Sequence, residues 1–395
     1  MEQIDHNTVT TTKKELSVET FLFPVLFAAF FALFSVRMGL TNTINTMINT
    51  AYRLLIDTVL YLTAICVLMG AVSALFTEFG FVALINRLLQ PLMKPLYGMP
   101  GAASLALLNT FLSDNPAILS LADSKDFRRY FKAHQFPALA NLSLGMGLIV
   151  CSYLMGLPLD DGQSAKKAVV VGAIGAICGS VISTRLMLVF SRKAYKSSAS
   201  SNDQTAADTS EKSGMRTVRT GSIISRIVSA ILDGGQNGLK MGISIIPGVL
   251  IICTIVMMLL GGPSSGGTYT GAAYEGIALL PFMAGKLRFI LQPLFGFTSP
   301  EAVGVPITAL GAAGAAIGLA SKLVSHGLAG ANDIAVFTAM CMCWSGFLST
   351  QVSLMDSLHC KELTGKSMLC RAIGGLCAGI IAHWLYVFTC YLLSR

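Results

Sequence analysis

A short polar stretch, Asp114-Asn115-Pro116, interrupts the otherwise apolar run TFLSDNPAILSL at residues 110–121. A carboxylate is expensive in an apolar environment, and proline cannot donate a backbone hydrogen bond, so these residues predict a break in a membrane helix. At such a break Asp114 and Asn115 would offer a charge and an amide to a solute, and Pro116 would begin the next helix. The alternative, in which Asp114 only caps that helix in a water-exposed loop, stays open.

Further polar side chains are candidates for the same cavity or for its counterpart in the second half of the chain. Asn109 lies five residues before Asp114, on a similar face of the predicted helix. Asn332 and Asp333 begin a later apolar span, where a helix cap is the simpler interpretation. The full set of candidate substrate-binding residues is Asn109, Ser113, Asp114, Asn115, Pro116, Asn141, Ser143, Asn332, Asp333 and Gln351.

The chain shows no pattern typical of an enzyme or of a resident metal. HExxH is absent from the sequence, the five histidines are scattered, and we identify no nucleophile–base pairing. Cys341 and Cys343 are soft-metal ligands by type, but residues two apart on a helix face different ways, so we interpret them as packing residues. We therefore expect no catalytic residue, no cofactor and no metal site.

The composition is that of a polytopic α-helical membrane protein. Of 395 residues 53% are hydrophobic and only 12% are charged, with a mean hydropathy of +0.67. The apolar runs are long and do not alternate, which favours helices over a β-barrel. The net charge of +8 is explained by basic loops on the cytoplasmic side, so nucleic acid is not an expected partner. Continuous spans are predicted at residues 18–36, 58–77, 136–156, 168–190, 243–261, 332–355 and 368–393.

Two halves of the sequence repeat one another. LLQPL at 88–92 has its counterpart in ILQPL at 290–294. The segment KAVVVGAIGAICGSVIS, which begins at Lys167, aligns with KSMLCRAIGGLCAGIIA, which begins at Lys366. The colinear order of these matches indicates a duplication.

The first helix has no counterpart in the second half, so its extra crossing would insert the two halves with opposite orientation. The predicted fold is an all-α polytopic membrane protein with two inverted-topology repeats, broken or re-entrant helices, and one extra N-terminal transmembrane helix. Its divisions are a tail and first helix at 1–39, a first repeat at 40–191, a polar linker at 192–221 and a second repeat at 222–395. Segment 101–122 would be a re-entrant hairpin broken at Asp114. The distribution of Lys and Arg, with Arg371 counted on the cytoplasmic side, places the N-terminus and the linker in the cytoplasm.

Two longer segments resemble a known family. SAILDGGQNGLKMGISIIPGVLIICTIVMMLLGG (229–262) resembles spore maturation protein B, and NTAYRLLIDTVLYLTAICVLMGAVSALFTEFGFVALINRLLQPLMKPLYGMPGAAS (49–104) is similar to spore maturation protein A. Both belong to the nucleoside-recognition (Gate) domain family, which is also described in concentrative nucleoside transporters and in the membrane part of ferrous iron transporter B. The chain resembles a fusion of the A and B proteins.

These observations predict a secondary transporter of a small polar or anionic solute, nucleoside-like or an organic acid, that works by alternating access between the repeats. The solute would bind near Asp114 and Asn115 in a bacterial inner membrane. A coupling Na⁺ or H⁺ and homo-oligomerisation are left open. The alternative function is a non-transporting membrane scaffold or assembly factor of the spore-maturation type.

Overall fold

The computed structural model describes residues 18–115, 117–118, 130–159, 165–197, 219–244, 246–264, 267–311 and 313–393. All regular elements within these ranges are helices. In the first half they are α1 Val18–Met38, α2 Leu40–Arg53, a π-helical turn Leu54–Val59, α3 Leu60–Glu78, α4 Phe81–Leu92 with a π-helical turn Met93–Tyr97, α5 Ala103–Leu112, a 3₁₀ helix Ala133–Asn141, α6 Gly147–Met155 and α7 Ala165–Ser197.

The second half follows a similar order of elements. It contains α8 Ile223–Ser244, helical turns Ile246–Gly248 and Val249–Cys253, α9 Thr254–Leu260, α10 Leu279–Lys286, α11 Arg288–Phe295, a 3₁₀ helix Pro300–Val303, α12 Gly304–Ala309, α13 Ala313–Ser325, α14 Ala331–Trp344, α15 Phe347–Ser357, a 3₁₀ helix Lys361–Leu363 and α16 Thr364–Leu393. Each half has a broken helix followed by its longest helix, α7 or α16. The inverted orientation of the halves stays a prediction.

Three helices of the described residues are long and apolar enough to cross a membrane: Thr20–Met38, Ala165–Tyr195 and Lys361–Leu392. A fourth crossing is formed if Thr63–Glu78 and Phe81–Tyr97, which meet at a bend of 76°, count as one span. The first of these agrees with the helix predicted at 18–36. The chain is a helical membrane protein with several spans.

Two predicted spans, 136–156 and 332–355, were wrong as continuous helices. The first is a 3₁₀ helix up to Asn141, a non-helical stretch and then α6, and the second is broken between α14 and α15. Pro137 removes a backbone donor from the first of these spans. At each break a residue adopts a left-handed conformation, Met146 with φ of 53° and Gly346 with φ of 63°, which a continuous helix does not allow.

The predicted linker also begins later than residue 192, because α7 continues to Ser197. Arg192 and Lys193 lie near the C-terminal end of α7, where cations interact favourably with the helix dipole. The rest of the predicted linker up to residue 218 lies outside the described residues.

The two longest helices, α7 and α16, cross at glycine. A Cβ atom at Gly179 would lie 2.5 Å from the carbonyl oxygen of Gly374, and one at Gly374 would lie 2.7 Å from that of Gly179. Small residues permit such close approach of two backbones in a membrane. The aligned glycine-rich segments of the two halves therefore form a helix–helix contact.

The Asn/Thr-rich helix α2 binds a loop of the other half through its polar face. Asn42 and Asn49 donate side-chain hydrogen bonds to the carbonyl oxygens of Tyr269 (3.1 Å) and Gly271 (2.8 Å). The Thr50 hydroxyl accepts one from the amide of Tyr274 at 2.9 Å. The unusual composition of α2 is therefore explained by packing against the loop between α9 and α10.

Candidate functional site

Three interruptions of helices meet at one place in the fold: the end of α5, the stretch before α6, and the gap between α14 and α15. The amide of Met146 donates to the carbonyl oxygen of Ser113 at 3.1 Å, and the amide of Gly145 donates to that of Met342, also at 3.1 Å. Backbone groups freed by one break are thus satisfied by another, as buried backbone groups must be.

Asp114 and Asn115 contact both neighbouring breaks. Oδ1 of Asp114 accepts hydrogen bonds from the Asn115 amide at 2.8 Å and from the Ser345 hydroxyl at 2.9 Å. The Asn115 side chain, 1% exposed, donates to the carbonyl oxygen of Ser345 and accepts a long hydrogen bond of 3.4 Å from Ser143. Within the described part of the chain, no hydrogen bond reaches Oδ2 of Asp114.

A buried arginine on the last long helix, Arg371, donates hydrogen bonds to two of these three breaks. Its guanidinium donates to the carbonyl oxygens of Cys343 (3.0 Å) and Ser345 (2.5 Å) and to the Ser143 hydroxyl (2.8 Å). It also donates to the side-chain oxygen of Gln351. Arg371 is 1% exposed, so its assignment to the cytoplasmic surface from the charge pattern was wrong.

The helix α16 begins at Thr364 and places Arg371 in its third turn, facing the other helices. Sequence reasoning missed this residue because the last span was predicted to begin at 368, which left Arg371 at a membrane border. The available signal was a single arginine ahead of the apolar, glycine-rich segment AIGGLCAGII, since an ionisable residue inside a membrane helix marks a functional site by default.

The same network extends to Asn141. The Asn141 amide donates to the Ser183 hydroxyl at 2.9 Å, and its oxygen accepts from the Ser367 hydroxyl at 2.8 Å. Gln351 donates to the Ser367 hydroxyl at 2.6 Å and so joins this part to Arg371. We call the connected set the central polar cluster: Asp114, Asn115, Asn141, Ser143, Ser183, Ser345, Gln351, Ser367 and Arg371.

Five of the ten candidate residues therefore meet in the central polar cluster, namely Asp114, Asn115, Asn141, Ser143 and Gln351. Asn332 and Asp333 do not. Asp333 lies in the first turn of α14 and accepts hydrogen bonds from the amides of Thr298 (3.0 Å) and Gly330 (2.9 Å). It therefore caps the start of this helix. Asn332 contacts His383 at 2.8 Å and the carbonyl oxygens of Phe295 and Gly296, both at 2.9 Å.

The remaining three candidates lie near the break after α5. Asn109 is half-buried on α5, and no described residue hydrogen-bonds its side chain. Ser113 lines a cavity. Pro116 lies outside the described residues, as do residues 119–129, which would form the return arm of the predicted hairpin.

The cavity beside Ser113 has a volume of about 300 Å³ and lies between α3, α8 and the end of α5. Its polar lining comes from Ser73, Thr77, Ser113, Arg219 and Asn237. Cys66 also lines it. Ser113 of this lining directly precedes Asp114 in the chain, so the central polar cluster adjoins a space large enough for a small solute.

The arginine in the cavity wall is already paired. Glu78, 5% exposed, accepts hydrogen bonds from Arg219 at 2.8 Å and from Arg226 at 2.7 Å. Arg219 also contacts Asp233 at 3.0 Å. The two arginines and two acids balance in charge, so this wall offers hydrogen bonds without a net positive charge.

No protein-family model and no curated protein sequence matches this chain. Solved structures of CNTnw, a concentrative nucleoside transporter, do match. An outward-facing variant has a TM-score of 0.52 at 14% identity, over 95% of this chain and 93% of that one. A variant in the state called intermediate 2 gives 0.51 at 15% identity with the same coverage, and the inward-facing substrate-bound form gives 0.50 at 13% identity, over 82% and 74%.

These similarities bear on the family resemblance in two ways. Nothing among them supports the spore maturation proteins. The match to solved structures supports the resemblance to concentrative nucleoside transporters at the level of the fold. The chain is a multi-pass helical membrane protein with the fold of a concentrative nucleoside transporter.

Proposed function

We propose that this protein is a secondary membrane transporter of a small, hydroxyl-rich, nucleoside-like solute. The observation that carries the proposal is the convergence of three helix interruptions on a buried polar cluster beside a cavity. Transporters build their solute sites from such discontinuous helices, because freed backbone groups and helix ends supply ligands there.

The similar structures support a mechanism of alternating access. The same fold is known in inward-facing, outward-facing and intermediate states of CNTnw. In this chain the equivalent movement would carry one inverted repeat against the other, and the solute would be held beside the break at Asp114.

The charges around the cavity favour a nucleoside-like solute over an organic acid. The carboxylate of Asp114 would accept hydrogen bonds from hydroxyl or amino groups of a solute and repel a carboxylate. Arg219, the cation of the cavity wall, is paired with Glu78 and Asp233 and has no surplus charge for an anion. Hydroxyl groups of Ser73, Thr77 and Ser113 add neutral hydrogen-bonding partners.

The proposal is tested by uptake of radiolabelled uridine and adenosine into proteoliposomes that contain the purified protein. Wild type should show saturable uptake, and Asp114→Asn should weaken apparent affinity by about 10–100-fold, the loss of one hydrogen bond to a charged group. The matched control is Asp356→Asn, because the Asp356 side chain is 44% exposed and pairs only loosely with Lys361 at 4.0 Å. This control should keep wild-type uptake.

One result would overturn the proposed function, and a second would overturn only the role of Asp114. Folded wild-type protein that takes up no nucleoside would favour the alternative function, a membrane scaffold. Equal uptake by wild type and Asp114→Asn would remove Asp114 from the solute site while leaving transport intact.

A further inference from the structure

Arg371 occupies a position that is built like a binding site for a free cation. All four groups that its guanidinium contacts present oxygen: the carbonyls of Cys343 and Ser345, the hydroxyl of Ser143 and the side-chain amide of Gln351. Hard cations such as Na⁺ bind oxygen ligands, and unwound backbone carbonyls provide them in transporters. We propose that Arg371 is a tethered cation that fills this position, so that the protein works without a Na⁺ ion there.

The electrostatics of the position require a positive charge. Cys343 and Ser345 lie at the C-terminal end of α14, where the helix dipole is negative and the last carbonyls have no partner within the helix. The Asp114 carboxyl is linked to Arg371 through Ser345, whose hydroxyl donates to the carboxyl oxygen and whose carbonyl accepts from the guanidinium. A cation at this point complements the negative end of the helix.

The contacts of Arg371 differ from those of an ordinary buried ion pair. Among the described residues, no carboxylate lies within ion-pair distance of its guanidinium. Its donors instead contact two helix breaks from different halves, Ser143 before α6 and Ser345 after α14. Burying such a charge is unfavourable unless an excellent set of partners offsets the loss of its hydration. The arginine therefore holds the breaks together in the way that a bound ion would.

The consequence for function follows from the covalent attachment of this charge. A free Na⁺ can enter with the solute and leave with it, whereas Arg371 remains in the protein through the whole cycle and stays protonated. A Na⁺ gradient is then not coupled to transport through this position. The inference deepens the proposed function, but its test measures only the binding of Na⁺.

The test is thermal unfolding of the purified full-length protein in detergent, titrated with NaCl against choline chloride and KCl at constant ionic strength. Wild type and Arg371→Lys, which keeps the charge, should show no Na⁺-specific change of the melting temperature. Arg371→Ala exposes the oxygen ligands to a free ion, so its melting temperature should rise saturably with Na⁺, by roughly 3 °C or more.

A saturable Na⁺-dependent shift in the wild-type protein would overturn the inference, as would an Arg371→Ala protein that does not respond to Na⁺. If Arg371→Ala does not fold, Arg371→Gln takes its place, because an amide replaces some of the donors without the charge. A Gln variant that ignores Na⁺ would then contradict the inference. None of these results depends on uptake, so failure of the transport assay is distinguished from failure of the tethered-cation role.

Discussion

Replacing Gly145 by alanine should drive apart the three helix breaks. A Cβ atom at this position would lie 2.6 Å from Oδ1 of Asp114, 2.7 Å from Cβ of Ser345 and 2.9 Å from the amide nitrogen of Asn115. Ordinary contacts begin at about 3.4 Å, so all three groups must move. The added methyl therefore acts on the centre of the proposed site without changing its charge.

The magnitude follows from the hydrogen bonds that these groups make. Movement of Asp114 and Ser345 weakens their mutual hydrogen bond, which is worth about 1.5–3 kcal/mol because one partner is charged. Movement of Asn115 weakens its bond to the Ser345 carbonyl, worth about 0.5–1.5 kcal/mol. The expected destabilisation is about 2–4 kcal/mol, or a fall in melting temperature of roughly 2–5 °C for a chain of this length.

The assay is thermal unfolding followed with a thiol-reactive dye. It suits this protein because its cysteines are free and most are buried, so their reaction reports opening of the core. The matched control is Gly156→Ala at the end of α6, where the nearest atom to the new Cβ is 3.5 Å away and φ is −84°. If Gly145→Ala melts within 1 °C of this control, the three breaks do not meet as described.

Three other substitutions test separate parts of the structure. On α16, Gly374→Ala should lower stability by about 1–3 kcal/mol because its Cβ would meet Gly179. Its control, Gly365→Ala, has open space around it and should raise stability by about 0.4–1 kcal/mol. Equal effects of the two substitutions in thermal unfolding would contradict the crossing of α7 and α16. Asp333→Ala should lower stability by about 1–3 kcal/mol, because Asp333 accepts hydrogen bonds from Thr298 and Gly330. These contacts lie away from the cavity, so solute affinity in the uptake assay should not change, and a large change in affinity would place Asp333 in the solute site. Burial opposes ionisation of Glu275, but hydrogen bonds from Ser264, Thr270 and Gly271 together lower its pKa. Its contribution to stability is therefore present above the ordinary glutamate pKa and is lost as the pH falls through the lowered folded-state value. The stability difference between wild type and Glu275→Gln should shrink over that range, and a difference independent of pH would refute this account.

The helical architecture was predictable from composition and hydrophobic runs, because lipid leaves a chain few ways to satisfy its backbone. The positions of breaks were predictable only where the break carries a charge, as at Asp114. The breaks at residues 142–146 and 345–346 escaped notice because Leu, Met, Ser and Gly there are also common in continuous membrane helices. Their conformation is set by contacts with one another, such as the bond from Gly145 to Met342, and local sequence does not encode a partner almost 200 residues away.

The candidate site was predictable in part for the same reason. Polar side chains inside apolar runs pointed to Asp114, Asn115, Asn141, Ser143 and Gln351. Asn332 and Asp333 are equally polar, but Asp333 caps the start of α14, and Asn332 bonds to Phe295, Gly296 and His383 instead of the central polar cluster. Arg371 was misplaced because its span was predicted to begin at residue 368, about one turn after the observed start of α16 at Thr364. A shift of one turn in a helix boundary decides whether such a residue is at the surface or buried.

The central polar cluster also explains why the two halves differ in their charges. The first half supplies the acid at Asp114, and the second supplies the arginine at Arg371 and the serine that links them. Each half alone would lose the hydrogen bonds that the other half makes to it, from Ser345 to Asp114 and from Arg371 to Ser143, so these bonds hold the two halves in register. A movement of one half against the other must exchange the hydrogen bonds of Ser345 and Ser143 for new ones. Under the proposed function, a solute that bonds to Asp114 would act on one end of this linkage, so its binding would favour one arrangement of the halves over another.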